Sequence, residues 1–140
     1  MNSKRILVVD PDPIVLQTLV RTLNTAGYEV LASEDGAGAV STARQYQPHL
    51  ILLEDQYPRV PYGGVVWDGA LILTWLRRFE ETRWIPVILT CANVSETALK
   101  RARAAGFFAL FPKPIDLGGL LQVIEQRLSP PEEETVPSLG

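Results

Sequence analysis

Leu50-Ile51-Leu52-Leu53-Glu54-Asp55 is apolar at four consecutive positions and then breaks into acid. A run with no alternating polar residue reads as a strand buried on both faces of a sheet. Working outward, short runs of strand type recur at Ile6–Val9, Glu29–Ala32, Pro86–Leu89 and Ala109–Phe111. Between them the apolar spacing turns helical. Val15, Leu16, Leu19, Val20 and Leu23 share one face, and their stretch stops at Gly27. A small, alanine-rich second helix is expected over Gly36–Gln45. Ile72, Trp75, Leu76 and Phe79 define a third, and Ala98, Leu99, Ala102 and Ala105 a fourth. Leu117, Leu120, Leu121, Ile124 and Leu128 define a fifth. Strict alternation of strand and helix predicts an α/β fold, a parallel sheet with helices on both faces.

The 140 residues suffice for one domain with a single core. A net charge of -3 gives no general drive toward nucleic acid. Cys91 is the only cysteine, which excludes a disulfide framework or a thiolate metal cluster and leaves it a small buried filler. No apolar run approaches the ~20 residues that span a bilayer. Met1-Asn2-Ser3-Lys4-Arg5 leads straight into the first strand, without an apolar signal segment, so no membrane role is expected and the expected location is the cytoplasm.

Two segments break the pattern. From Ser129 onward, Pro130-Pro131-Glu132-Glu133-Glu134 and Pro137 leave too few apolar residues to fold, so residues 1–128 read as the domain and 129–140 as a disordered acidic tail. Tyr57–Trp67 is longer than an ordinary strand-to-helix link and carries Val60, Tyr62, Val65, Val66 and Trp67. Its Gly63-Gly64 suits a tight hairpin turn, and its apolar content favours a lid or partner-binding flap over a neutral insertion.

Asp10, Glu54, Thr90 and Lys113 each stand one step past an apolar strand. Open α/β sheets gather their working residues at those carboxyl ends. Transfer of a phosphoryl group to a carboxylate needs a nucleophile, a divalent cation and donors for the equatorial oxygens. Acids suit Mg²⁺, a lysine supplies a compact positive charge, and a threonine hydroxyl adds one hydrogen bond.

These pieces, in this order, resemble the receiver domain of bacterial two-component response regulators. Ile6–Asp10 is similar to that family's opening strand and first acid, and Pro48–Glu54 with Pro58 to its third strand and phosphoacceptor loop. Asp68-Gly69 resembles the start of its next helix, Pro86–Thr90 the strand ending in its switch threonine, and Ala105-Gly106 through Lys113-Pro114 the segment with the active-site lysine. The resemblance runs to Leu128. It implies a flavodoxin-like, doubly wound sheet of five parallel strands in the order 2-1-3-4-5. It also implies a cis Lys113–Pro114 bond, Mg²⁺ held by acids, and as partners a histidine kinase or downstream effector. The face of helix four, strand five and helix five, with Lys100, Arg101, Arg103 and Leu110, is the implied partner or homodimer surface.

The departures change the expected chemistry. The family's second acid, a metal ligand, falls on Pro11, and its phosphoacceptor aspartate on Glu54. Leu110 replaces its aromatic switch residue. Asp12 stands next to the missing ligand, but an Asp before Pro13 is a standard helix N-cap, and the cap is favoured. His49 stands before its strand, away from the site. The leading expectation is a non-enzymatic, degenerate receiver acting as a protein-interaction module without phosphorylation. In it Glu54 mimics a phosphorylated aspartate by pairing with Lys113, and Asp10, Asp12 and Glu54 bind Mg²⁺ weakly or not at all. The alternative is a working receiver that accepts phosphate on Asp55 or Glu54; Asp55 requires a one-residue slip that flips the strand. A third reading, from a resemblance to haloacid-dehalogenase phosphatases, makes Asp10 the nucleophile and Asp12 the general acid, with Asp116 as the available final acid.

Overall fold

The computed structural model describes residues 3–59 and 64–129. Five strands alternate with five helices among the described residues. They are β1 (Arg5–Val9), α1 (Pro13–Thr25), β2 (Glu29–Ser33), α2 (Gly36–Tyr46), β3 (Leu50–Glu54), α3 (Gly69–Arg78), β4 (Val87–Cys91), α4 (Glu96–Ala105), β5 (Ala109–Pro112) and α5 (Leu117–Leu128). The sheet is parallel throughout, in the order β2-β1-β3-β4-β5. This is the flavodoxin-like fold that the sequence implies. The acidic tail expected over 129–140 falls, apart from Ser129, outside the described residues.

The period-two pleat sorts the central strands between two cores. Ile6, Val8, Leu50, Leu52 and Ile88 face α1 and α5, packing on Leu16, Leu19, Leu23, Leu120 and Ile124. Leu7, Val9, Ile51, Leu53, Val87 and Leu89 face α2, α3 and α4. β1, β3 and β4 are therefore nearly continuous apolar runs, because each is covered on both sides.

Every helix opens on a side-chain cap. Asp12, Asp35, Asp68, Ser95 and Asp116 accept from the backbone N–H of Ile14, Gly38, Leu71, Ala98 and Gly119. Each accepted bond satisfies an orphan donor and places negative charge or dipole at the positive helix end. In α3 the buried residues are Ile72, Leu73 and Leu76, whereas Trp75 is 37% exposed and Phe79 lies just past the helix end. The expected face holds at Ile72 and Leu76 and fails at Trp75 and Phe79. Trp75 and Phe79 stack on each other outside, centroids 6.3 Å apart, which gives large rings a packing site without core burial.

The insertion leaves and rejoins the fold at one point. Gln56 pairs with Asp68 in an antiparallel bridge, and the N–H of Gly69 donates to the Asp55 carbonyl at 2.9 Å. The hairpin turn expected at Gly63-Gly64 lies outside the described residues but for Gly64, whose φ of +113° glycine tolerates readily. Beyond it, Trp67 lies across the first turn of α2, so close that a Cβ on Gly36 would stand 2.3 Å from the indole. Gly36→Ala is thus expected to destabilise the fold by about 1–3 kcal/mol through overpacking, read from denaturant midpoints. Gly36→Ala combined with Trp67→Ala should recover part of that loss.

Candidate functional site

The pleat that builds the cores also sorts the residues at the strand ends. Asp10, Glu54 and Thr90 continue the series Val8, Leu52 and Ile88, on the α1/α5 face. Glu54 and Thr90 are direct register partners on β3 and β4. All three are buried, Asp10 and Thr90 to 1% exposure and Glu54 to 5%. Asp55 and Cys91 continue the opposite series. The Asp55 N–H donates to the Thr90 carbonyl at 2.9 Å, which holds the register and keeps the Asp55 side chain on the α3/α4 side. There it accepts from the Gln56 side-chain amide at 2.9 Å.

Lys113 reaches this pocket from the end of β5, where the Lys113–Pro114 peptide is cis. Its ammonium donates to Asp10 Oδ2 at 2.6 Å and forms an ion pair with Glu54 Oε1. The remaining oxygens are held by the backbone: Asp12 N–H donates to Asp10 Oδ1, and Gln56 N–H to Glu54 Oε2, both at 2.8 Å. Burial favours the neutral amine of Lys113. The hydrogen bonds and charges of Asp10 and Glu54 outweigh it and hold the lysine above its ordinary pKa. An ammonium on two buried carboxylates is the arrangement in which charge burial is tolerated.

Sequence reasoning missed Tyr57. Its hydroxyl is buried, without a hydrogen-bond partner among the described residues. Burial, with the carboxylates of Glu54, Asp10 and Asp55, pushes its pKa far above the ordinary phenol value, so it stays neutral. The first residue of the insertion thus packs its ring on the α2, α3 and α4 core. Its place three residues past Glu54 was the available signal. The Cys91 thiol is also pushed up, by burial and then by Asp55 and Glu54, and donates weakly to the Asn93 carbonyl at 3.4 Å.

Asp12 does not join Asp10 and Glu54, the other two acids of the expected weak metal set, in one cluster. Among the described residues no three acid, histidine or cysteine side chains come together to hold a metal ion. Asp12 is exposed and caps α1, accepting from Ile14 N–H at 2.9 Å. Pro11 has no ligand atom, and Lys113 already sits on both remaining carboxylates. Mg²⁺ requires several hard oxygens in near-octahedral array, and these residues do not fit it. Asp116 is likewise a helix cap, accepting from Gly119 N–H at 3.2 Å. Neither it nor Asp12 is disposed as the phosphatase reading requires. His49 lies at the other end of β3, where its Nδ1 accepts from Arg5 N–H at 3.0 Å.

A doubly wound sheet whose strand ends gather an acid, a threonine and a cis-proline lysine defines the receiver class. The chain belongs to the response regulator receiver domain family, whose model matches residues 6–125. It is 29% identical over 126 residues to the polar-differentiation response regulator DivK of Brucella ovis, covering 90% of this chain and 97% of that protein. Among solved structures it superposes on the chemotaxis protein CheY4 of Vibrio cholerae with a TM-score of 0.80 at 23% identity, covering 91% of this chain and all of that one. The receiver domain of histidine kinase PA1611 from Pseudomonas aeruginosa, with magnesium coordinated in its active-site cleft, gives a TM-score of 0.78 at 24% identity, over 92% of this chain and 100% of that one. These structural likenesses establish the fold. Among the described residues no helix is long and apolar enough to cross a membrane.

Proposed function

We propose that this receiver serves two-component signalling as a phosphorylation-independent protein-interaction module, held in a set state by its own Glu54–Lys113 pair. The single observation that carries this reading is the Lys113 ammonium seated between the Asp10 and Glu54 carboxylates. Glu54 is one methylene longer than the family's aspartate. That reach brings its carboxylate to the lysine, the group that pairs with a phosphoryl oxygen in ordinary receivers. The Gln56 N–H holds the other Glu54 oxygen, so the carboxylate is fixed at both ends. Thr90, buried beside Glu54 in register, is placed to sense that anion as the family's switch threonine senses phosphate.

The same pair accounts for metal independence. With Pro11 in place of an acid, two carboxylates face one ammonium, and a divalent ion must break both Lys113 contacts to enter. Calorimetric titration with Mg²⁺ is expected to show no saturation below about a millimolar, a free energy of about 4 kcal/mol. Tight saturation would mean that Asp12 leaves its cap to serve as a ligand.

The partner is a histidine kinase or a downstream effector, engaged through α4, β5 and α5. Lys100, Arg101 and Arg103 are exposed on α4, and Leu110 is half-buried on β5. Phe108, 36% exposed, carries the Arg127 guanidinium 5.1 Å above its ring, which joins β5 to α5 as one surface. Arg101→Glu with Arg103→Glu is expected to weaken partner capture or self-association at least tenfold, about 1.4 kcal/mol, without changing the fold. Unaltered binding and oligomeric state would make the α4 charges a solvated face only.

A further inference from the structure

α4 covers the sheet thinly. Of its 10 residues only Ala102 is buried. Ala98, Ala102 and Ala105, spaced to share one helix face, line the space beneath it with methyls rather than long side chains. Leu110 on β5 brings no ring to fill that space. A cavity of about 230 Å³ results between α3, α4 and the ends of β4 and β5. It lies on the face of the sheet opposite the one that carries Glu54.

The cavity has an apolar body and one polar end. Leu89 and Phe107 wall the body, both buried. Asp55, Cys91 and Asn93 form the polar end, at the tips of β3 and β4. The Asp55 carboxylate stands close to Cys91: burial raises the thiol pKa most, and the Asp55 charge then adds more than that of Glu54. Gly69 lets α3 close on this end. A Cβ there would stand 2.7 Å from Leu89 Cδ1 and 3.3 Å from Asp55 Oδ1. The Cys91 thiol donates to the Asn93 carbonyl, and Asp55 Oδ2 accepts from the Gln56 amide. Asp55 forms no ion pair among the described residues, which leaves Oδ1 as an acceptor for an incoming donor.

Size and charge together select the ligand. An apolar cavity of about 150 Å³ holds a benzene ring, so this one has room for a ring with a short substituent. A carboxylate at one end calls for a donor, and hydrogen bonds to an ionised acceptor are the strong ones. An ammonium would supply a donor, but Lys100, Arg101 and Arg103 are exposed on the same helix, and Arg101 lines the cavity itself. Their field repels a cation. A phenol supplies the donor and stays neutral at pH 7, because its pKa is about 10.

We propose that the cavity beneath α4 is a binding site for a small neutral phenol. The ring lies among Leu89, Leu110 and Phe107, and the hydroxyl donates to Asp55 Oδ1. The site is separate from the Glu54–Lys113 pair and does not depend on it.

Calorimetric titration of the full chain with p-cresol, toluene and benzylamine tests this. p-Cresol should saturate one site per chain below about a millimolar. Toluene lacks the donor and benzylamine carries the repelled charge, so each should bind about tenfold more weakly or worse. Asp55→Asn keeps the shape and removes the charge; it should weaken p-cresol about fivefold and leave toluene unchanged. Leu110→Phe fills the cavity from the sheet and Ala98→Leu from the helix. Each should weaken p-cresol about tenfold or more, with urea midpoints showing that the variant is folded. A wild type without saturable uptake of p-cresol overturns the proposal. Undiminished binding in a folded, filled variant also overturns it, because the ring would then lie elsewhere. Benzylamine binding more tightly than p-cresol overturns the phenol class.

Discussion

Lys113→Met is expected to lower the unfolding free energy by about 3 kcal/mol at neutral pH, read from urea midpoints at constant m-value. Asp10 and Glu54 are 2% and 6% exposed at their side chains, so the variant leaves two anions facing each other out of water. The loss is mainly the burial of uncompensated charge. The wild type has a pH dependence of its own. Lys113 has a raised pKa in the folded protein. Its contribution is fully present below about 10.4, the unfolded lysine value, and is lost as pH climbs through the folded value. Added Mg²⁺ should leave the wild type unchanged, because Lys113 already holds both carboxylates. Equal unfolding midpoints for the two proteins at pH 7 would mean that the ion pairs are solvated and contribute little.

Glu54→Gln is expected to weaken partner capture about tenfold or more, about 1.4 kcal/mol, while the fold survives. The amide keeps the length of glutamate and can still accept from Gln56 N–H, and Asp10 still pairs with Lys113. Only the anion that stands for the phosphoryl group is lost. Glu54→Asp keeps the charge but withdraws it by one methylene from Lys113, so it should weaken capture as well. Side-by-side capture with wild type, Glu54→Asp and Glu54→Gln separates charge from reach. If Glu54→Gln captures as much partner as wild type, the phosphomimic role is wrong and Glu54 is a replacement at a disused site.

The sheet was legible because its central strands are buried on both faces, and nothing but strand reading suits Leu50–Leu53 between Pro48 and Glu54. The pairing of Glu54 with Lys113 was legible from side-chain length at an otherwise matching position. Other parts were not. Six aspartates lie at or near strand ends, and four of them, Asp12, Asp35, Asp68 and Asp116, are helix caps. Doubly wound sheets put helix starts and working residues at the same rim, so acid identity alone does not separate the two uses. Asp12 was favoured as a cap because Pro13 follows it, although it also stood in the expected metal set. The α3 face was misread because Trp75 and Phe79 fit the same helical spacing as a core stripe, yet their rings cover each other outside. Tyr57 escaped notice because its burial depends on how the insertion folds back at the Gln56–Asp68 bridge, a contact without a periodic signature.

If this receiver holds its state without phosphoryl transfer, intact-mass measurement after incubation with acetyl phosphate and excess Mg²⁺ will show it. The protein is predicted to remain unmodified, because its lysine already sits on Glu54 and Asp10 and its metal set is incomplete. A Mg²⁺-dependent phosphoryl adduct that maps to Glu54 or Asp55 would contradict the account.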